Sequence, residues 1–154
     1  MDENPIELKP RIGCLVLAAG ASLRLGSPKQ LLIYDGKTLL RRSVETAINA
    51  GFKPVIVVLG SEIERSRSEI SGLDVKIHIN EDWESGMSSS IKAGLEHLLK
   101  IEPEIDGVLI TLCDQPKVSS EHLNLFVEKF EVTKASIIAA QYEGVAGVTA
   151  LFSK

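Results

Sequence analysis

One stretch of the chain combines small residues with two cations directly after an apolar run. The run covers residues 12–18, and the loop behind it contains Gly20, Arg24, Gly26 and Lys29. Small residues let backbone N–H groups approach an anion closely, and two positive side chains can neutralise a polyphosphate. The pattern predicts a phosphate-binding loop at the carboxyl end of a first parallel strand, where open α/β sheets bind ligands. The alternative is an incidental turn with two solvated cations.

This loop differs from two well-known phosphate-binding patterns. Lys29 does not follow a glycine at the spacing of a Walker A motif, and the segment lacks Gly-x-Gly-x-x-Gly. The two differences argue against a P-loop NTPase and against a dinucleotide-dependent oxidoreductase.

A second candidate residue follows another apolar run, at residues 107–112. Asp114 comes just after this run, and Pro116 fixes the turn and disfavours helical geometry at Gln115. A carboxylate there would lie above the sheet, beside the first loop. Aspartate oxygens suit Mg²⁺, which usually arrives with substrate phosphates. The other interpretation is a plain strand-end turn in which Asp114 acts as a cap.

A third segment, residues 80–91, leads a glycine and three serines into a helical pattern. Its hydroxyl and amide N–H groups can face an anion or a sugar. The alternative is a helix N-cap with spare serines. Trp83 can stack on a ring, but a packed anchor is the favoured interpretation.

Apolar runs and helical stripes alternate along the chain. Continuous runs at 12–18, 55–59 and 107–112 are typical of strands buried on both faces, whereas 75–79 alternates and is expected nearer an edge. Weaker strands at 136–140 and 148–152 pair as a hairpin around residues 144 and 147. Helical stripes fall between the strands at 40–48, 61–70, 91–99 and 123–130, with Ser119 or Ser120 as a cap. The alternation predicts an α/β fold with a parallel-rich sheet and helices on both faces.

Bulk composition describes an ordinary globular protein of one domain. The chain has 154 residues, of which 44% are hydrophobic and 25% charged, and its net charge is −4. The acidic balance argues against a broad nucleic-acid or anionic-membrane surface. No apolar run reaches membrane-spanning length, and the first eleven residues lack an apolar signal region. We therefore expect a cytoplasmic protein with neither nucleic acid nor membrane as a partner.

The cysteines and histidines show no metal-binding spacing. Cys14 and Cys113 lie in apolar strand patterns and are expected to be reduced core residues. His78, His97 and His122 are far apart in sequence, so surface or strand-edge roles are expected for them.

Taken together, these segments resemble the molybdenum cofactor nucleotidyltransferases, most closely the cytidylyltransferase branch. The resemblance spans roughly residues 12–152 and implies a Rossmann-like, three-layer nucleotidyltransferase fold with a mostly parallel sheet. It also implies transfer of CMP from CTP to the phosphate of a molybdopterin-type cofactor, with release of pyrophosphate. The first loop is shared by many nucleotidyltransferases, and three further segments narrow the match to the cytidylyltransferase-like branch: residues 30–32 (Gln-Leu-Leu), 83–91 and 113–116 (Cys-Asp-Gln-Pro).

The resemblance implies roles for individual residues. Arg24 would neutralise the departing β- and γ-phosphates, Lys29 would hold the α-phosphate, and Asp114 would bind Mg²⁺. The attacking phosphate oxygen is already ionised, so no protein general base is required. The predicted contacts to nucleotide and acceptor come from nine further residues: Leu17, Ala18, Ala19, Gly20, Ser22, Asn80, Gly86, Ser88 and Ser89.

Three features depart from the family pattern. Leu25 stands between Arg24 and Gly26 where methionine is commoner, which is a conservative change of shape. Thr149 stands where proline is usual, which predicts a looser turn there. The sequence ends at Lys154, before a further Asp-containing segment that would supply a second carboxylate for the metal. We therefore expect a single nucleotidyltransferase domain over residues 1–154 that lacks this segment.

Three alternatives stay open. In the first, the nucleotide is GTP rather than CTP. In the second, the acceptor is a sugar or alcohol phosphate. In the third, the chain is a non-catalytic nucleotide- or cofactor-binding module. The protein partner compatible with the resemblance is a molybdoenzyme that receives the finished cofactor. The sequence favours no particular oligomeric state.

Overall fold

Six strands form one sheet in the computed structural model, which describes residues 9–22 and 26–154. A separate two-stranded hairpin follows the first loop. In chain order the eight strands are β1 (Ile12–Ala18), β2 (Ile33–Tyr34), β3 (Lys37–Thr38), β4 (Val55–Leu59), β5 (Lys76–Ile79), β6 (Gly107–Leu112), β7 (Ile137–Tyr142) and β8 (Val145–Ser153).

Helices connect the strands, as the apolar stripes predict. Single 3₁₀ turns at Lys29–Leu31 and Trp83–Ser85 lie beside the candidate site. Within the described ranges there are four α-helices: α1 (Leu39–Asn49), α2 (Ile63–Glu69), α3 (Met87–Ile101) and α4 (Ser120–Thr133).

The strand order is β5-β4-β1-β6-β8-β7. Strand β1 pairs in parallel with both β4 and β6, and β4 pairs in parallel with β5. Strand β8 is antiparallel to both of its neighbours, β6 and β7. From β1 the chain adds β4 and then β5 on one side, and it then crosses back to add β6 on the other side of β1. The gap between the ends of β1 and β6 is therefore the topological switch point, where such sheets bind ligands.

Helices cover both faces of this sheet. Cys14 and Val16 of β1 face a core shared with α1 and α4, whereas Leu15 and Leu17 face a core shared with α3. Every residue of β1 and β4 is buried, which explains their unbroken apolar sequence. The predicted three-layer α/β fold with a mostly parallel sheet is confirmed.

The hairpin turn and the helix cap also lie where the sequence predicts them. Asp35 and Gly36 both have positive φ, at 52° and 79°, and join β2 to β3. Such turns suit the twist of a hairpin. Ser119 caps α4: its hydroxyl accepts from the N–H of His122, and the His122 ring accepts from the N–H of Ser119. The strand at 76–79 lies at the edge of the sheet, as its alternation predicts.

The predicted hairpin of β7 and β8 is present, with two corrections. Its turn lies at Glu143 and Gly144, and Gly147 belongs to β8 rather than to the turn. Thr149 is not in a loosened turn either, because it lies inside β8 and is only 1% exposed. Here the register shifts from Ala139 opposite Ala150 to Ala140 opposite Gly147. Val148 and Thr149 therefore form a β-bulge.

Both cysteines are free and buried, which confirms their predicted place in the core. Burial, reinforced by the neighbouring Asp114 carboxylate, raises the pKa of Cys113 to about 12. Burial also raises the pKa of Cys14. Both sulfurs therefore stay protonated at neutral pH. Within the described residues, no helix is both long and apolar enough to cross a membrane.

Two of the histidines meet in space although they are far apart in sequence. The rings of His78 on β5 and His97 on α3 stack with centroids 4.8 Å apart. Burial lowers the pKa of His78 below its ordinary value of 6.5, the nearby His97 lowers it further, and Glu96 opposes the shift. The pair joins α3 to the edge strand.

Acidification should weaken the fold through His78. A lowered pKa in the folded state means that the unfolded chain binds the proton first, so stability falls as the pH drops through about 6.5. Because the ring is partly solvated, we expect a loss below about 1 kcal/mol. Urea unfolding at pH 7.5 and 5.5 should show a smaller acid loss for His78→Gln than for wild type. Equal losses would contradict the assignment.

Candidate functional site

A cavity of about 300 Å³ opens at the carboxyl ends of β1 and β6, at the switch point of the sheet. Eight of the residues predicted from sequence contribute to its wall. They are Leu17, Ala18, Ala19, Gly20, Ser22, Lys29, Gly86 and Asp114. The fold thus brings the first loop, the turn after β6 and the start of α3 to one place.

The first loop is anchored by a buried glutamine. Gln30 is only 2% exposed, and its Nε2 donates to the carbonyl of Gly20 and to the hydroxyl of Ser61, both at 3.3 Å. The Ser61 hydroxyl donates to the same carbonyl at 2.9 Å, and the Ser61 N–H donates to the Ala19 carbonyl. These bonds fix the backbone at the point where it leaves β1.

The far end of the loop closes through Ser22. Its hydroxyl accepts from the N–H of Lys29 at 3.1 Å, and its own φ is 54°. Gly26, between them, also has a positive φ of 67°. The contact brings Lys29 back towards the end of β1. Arg24, the other predicted cation, lies outside the described residues.

Lys29 and Asp114 form the charged part of the cavity. The Lys29 Nζ lies 3.6 Å from Oδ2 of Asp114, and the two side chains are 45% and 34% exposed. An ion pair this solvated contributes little to stability. Each partner can therefore turn to a ligand at small cost, the ammonium to a phosphate and the carboxylate to a cation.

The residues present fit a divalent ion that arrives with a nucleotide. In the described part of the chain, no group of three or more His, Cys, Asp or Glu side chains could hold a metal ion. Mg²⁺ needs only one or two carboxylates when phosphates and waters complete its octahedron. Asp114 is the carboxylate on the cavity wall, beside the phosphate-binding loop. A metal–triphosphate complex suits this donor better than a free ion.

Three predicted contact residues lie outside the cavity wall. The Nδ2 of buried Asn80 donates to the hydroxyls of Ser89 and Ser90, at 2.9 and 3.0 Å, and its Oδ1 accepts from the N–H of Asp82. The Ser89 hydroxyl also contacts the carbonyl of Gly86 at 2.8 Å. Asn80 and Ser89 thus hold the start of α3, and Ser88 is exposed. Their contacts to nucleotide and acceptor stay predictions.

Sequence reasoning assigned no role to Gln30, although it quoted the residue as part of a motif. A glutamine between a lysine and two leucines was the available signal. Trp83 and Met87 also line the cavity. A Cβ on Gly60 would come within 2.4 Å of the Trp83 Cβ, so the indole is seated against the Gly60 backbone.

Gly60→Ala should therefore disturb both the fold and the cavity. The added methyl group meets the base of the Trp83 side chain rather than a flexible tip, so the turn carrying Trp83 must move. We expect a loss of about 1–3 kcal/mol in the free energy of unfolding. Emission from Trp83, the single tryptophan of the chain, should also change. The control is Gly147→Ala, whose Cβ would meet Tyr142 at an ordinary 3.8 Å. Equal stability of the two variants would contradict the prediction.

Comparison with known proteins extends this picture. The chain is 37% identical over 113 residues to the nicotine blue oxidoreductase of Paenarthrobacter nicotinovorans, covering 71% of this chain and 52% of that protein. It is 27% identical over 124 residues to a probable molybdenum cofactor guanylyltransferase of Bacillus cytotoxicus, covering 80% and 59%. This chain thus spans between about half and three fifths of the length of these relatives.

Solved structures show the same architecture. The manganese complex of Rv0371c from Mycobacterium tuberculosis superposes with a TM-score of 0.76 at 28% identity, covering 94% of this chain and 71% of that one. The model of the MobA-like NTP transferase domain matches residues 14–154, nearly the whole chain. With the switch-point cavity and its small-residue loop, this match shows that the chain belongs to the MobA-like NTP transferase family.

Proposed function

We propose that the chain transfers a nucleotidyl group from an NTP to a phosphate-bearing acceptor and releases pyrophosphate. The observation that supports this most is the Lys29–Asp114 pair, 3.6 Å apart on the wall of the switch-point cavity. The Lys29 ammonium suits a phosphate, and the Asp114 carboxylate suits the cation that accompanies a triphosphate. The small-residue loop between β1 and Lys29 supplies backbone N–H groups beside them.

The chemistry asks for positioning and charge neutralisation. An acceptor phosphate oxygen attacks the α-phosphorus, a new P–O bond forms, and the bond to the bridging β-phosphate oxygen breaks. The negative charge leaves with pyrophosphate, and no proton has to be removed from the nucleophile. Lys29 would stabilise charge on the α-phosphate and Arg24 the charge on the leaving group.

Asp114 would hold Mg²⁺ in this proposal. When bound, the ion would supply positive charge that neutralises the phosphates during the transfer. The carboxylate itself keeps its place on the turn after β6, beside Lys29. The manganese complex of the Mycobacterium tuberculosis relative supports a divalent metal in this fold.

For the nucleotide and the acceptor, we propose CTP and a molybdopterin-type cofactor, with a molybdoenzyme as the recipient of the product. The motifs at residues 30–32, 83–91 and 113–116 support the cytidylyl choice. The probable guanylyltransferase among the relatives favours GTP as the second candidate. We further propose that residues 1–154 act as one nucleotidyltransferase domain.

The test is incubation of the purified chain with each α-³²P-labelled NTP, Mg²⁺ and molybdopterin. A labelled dinucleotide product and pyrophosphate with CTP alone would support the full proposal. Product with GTP alone would keep the transferase function and replace the base. Nucleotide binding without pyrophosphate release would reject catalysis in favour of a binding module. A parallel assay of nicotine blue oxidation and reduction covers the chemistry that the name of the Paenarthrobacter relative suggests.

A further inference from the structure

The turn that carries Asp114 is held from two sides by side-chain hydrogen bonds. On one side, Nε of Arg42 on α1 donates to the carbonyl of Pro116 at 3.1 Å. On the other, the Gln115 amide reaches across to strand β8. The second attachment is unusual because it ends on a β-bulge rather than on a regular ladder.

The bulge presents a matched donor and acceptor to Gln115. Its Nε2 donates to the carbonyl of Val148 at 2.8 Å, and its Oε1 accepts from the hydroxyl of Thr149 at 3.1 Å. Val148 and Thr149 lie between paired residues of β8 but have no opposite residue of their own on β7. Bulges often re-aim groups next to functional sites, and this one frees a carbonyl and turns a hydroxyl towards the same amide.

A third residue completes the chain of hydrogen bonds. The hydroxyls of Thr111 on β6 and Thr149 lie 3.0 Å apart, and both side chains are buried. Since the single proton of the Thr149 hydroxyl goes to Gln115, Thr111 must be the donor to Thr149. The bonds then run in one direction, from Thr111 through Thr149 and Gln115 to the Val148 carbonyl. Hydrogen bonds aligned in this way strengthen one another in a buried setting.

We infer that Thr149 and Gln115 are positioning residues, which fix the Asp114 carboxylate for a divalent metal bound with a nucleotide. The inference rests on the proposed function and adds β8 to the elements that shape its site. Gln115 directly follows Asp114, so loss of its anchorage loosens the backbone on which the carboxylate is carried. Partners that orient a metal ligand typically change metal affinity 10- to 100-fold when removed.

The experiment measures binding of Mn²⁺ with CTP by EPR, relative to a protein-free sample with the same Mn²⁺ and CTP, in wild type and variants. Thr149→Val keeps the side-chain shape but removes the hydroxyl, and should weaken Mn²⁺ binding about 10-fold. Thr149→Ser restores the hydroxyl and should bind within about threefold of wild type. The matched control is Thr111→Val, which makes the same change in the same buried layer but leaves both Gln115 bonds in place.

A double variant tests whether the two residues act together. Gln115→Met removes both bonds to the bulge, so adding Thr149→Val should weaken Mn²⁺ binding no further. If Thr149→Val binds Mn²⁺ as tightly as Thr111→Val, the hydroxyl is merely structural and the inference fails, while the proposed function stands. If wild type binds no Mn²⁺ with CTP, GTP, ATP or UTP, both the metal site and the inference fail.

Discussion

Lys29→Met should lower kcat for nucleotidyl transfer by on the order of 10²- to 10³-fold, as removal of one well-placed donor does in other sites that stabilise developing charge. Methionine keeps the unbranched apolar stem of lysine and removes the ammonium. The ammonium lies 3.6 Å from Asp114 and is partly solvated, so its loss should leave the melting temperature nearly unchanged. Steady-state kinetics with the preferred nucleotide, alongside thermal unfolding, is the measurement.

The control for this variant is Lys92→Met. Lys92 lies on α3, its side chain is 77% exposed, and it approaches only Glu96, one helical turn away, at 4.0 Å. The substitution removes the same charge from the chain without touching the cavity. We expect its kcat to equal that of wild type. A Lys29→Met enzyme that turns over within threefold of the control would remove Lys29 from the proposed chemistry.

Asp114→Asn should be nearly as damaging, through the metal. Asparagine has the shape of aspartate but lacks the charge that attracts a divalent ion. Loss of several kcal/mol of charge stabilisation predicts a fall on the order of 10³-fold in rate at a fixed, low Mg²⁺ concentration. Activity should recover in part as Mg²⁺ or Mn²⁺ is raised, because the phosphates still bring ligands of their own. A metal titration of the rate distinguishes this from a general loss of activity.

Asp74→Asn is the matched control for the metal effect. Asp74 is exposed and precedes β5. It therefore lies at the amino ends of the parallel strands, whereas the cavity lies at their carboxyl ends. It should give a metal titration identical to that of wild type. Should Asp114→Asn require no more metal than Asp74→Asn, another group holds the cation and the assignment of Asp114 is wrong.

The architecture could be predicted because its signals are local. Strands β1, β4 and β6 are buried on both faces, so their sequences are unbroken apolar runs. The stripes of α1, α3 and α4 follow from helices that bury one side against that sheet. Asp114 lies beside the start of the first loop because parallel strands end at the same side of the sheet, and the hydrogen bond from Lys29 N–H to Ser22 brings Lys29 back to that place.

The supporting contacts could not be predicted because they depend on register between distant segments. The bulge at Val148 and Thr149 results from the alignment of β7 with β8, and no local sequence pattern near Thr149 predicts it. The looser turn was predicted from Thr149, which stands where proline is usual, without knowledge of how β7 and β8 align. Gln30 and the His78–His97 pair were missed because each contact joins residues that are ten or more positions apart in the sequence.

The burial of both cysteines has a practical consequence for labelling. Because Cys14 and Cys113 are sequestered and protonated, maleimide dyes should leave the native protein unmodified. A cysteine introduced on the solvent side of a helix would then be a unique attachment point for a fluorophore. Single-molecule fluorescence experiments then become possible without first replacing the native cysteines.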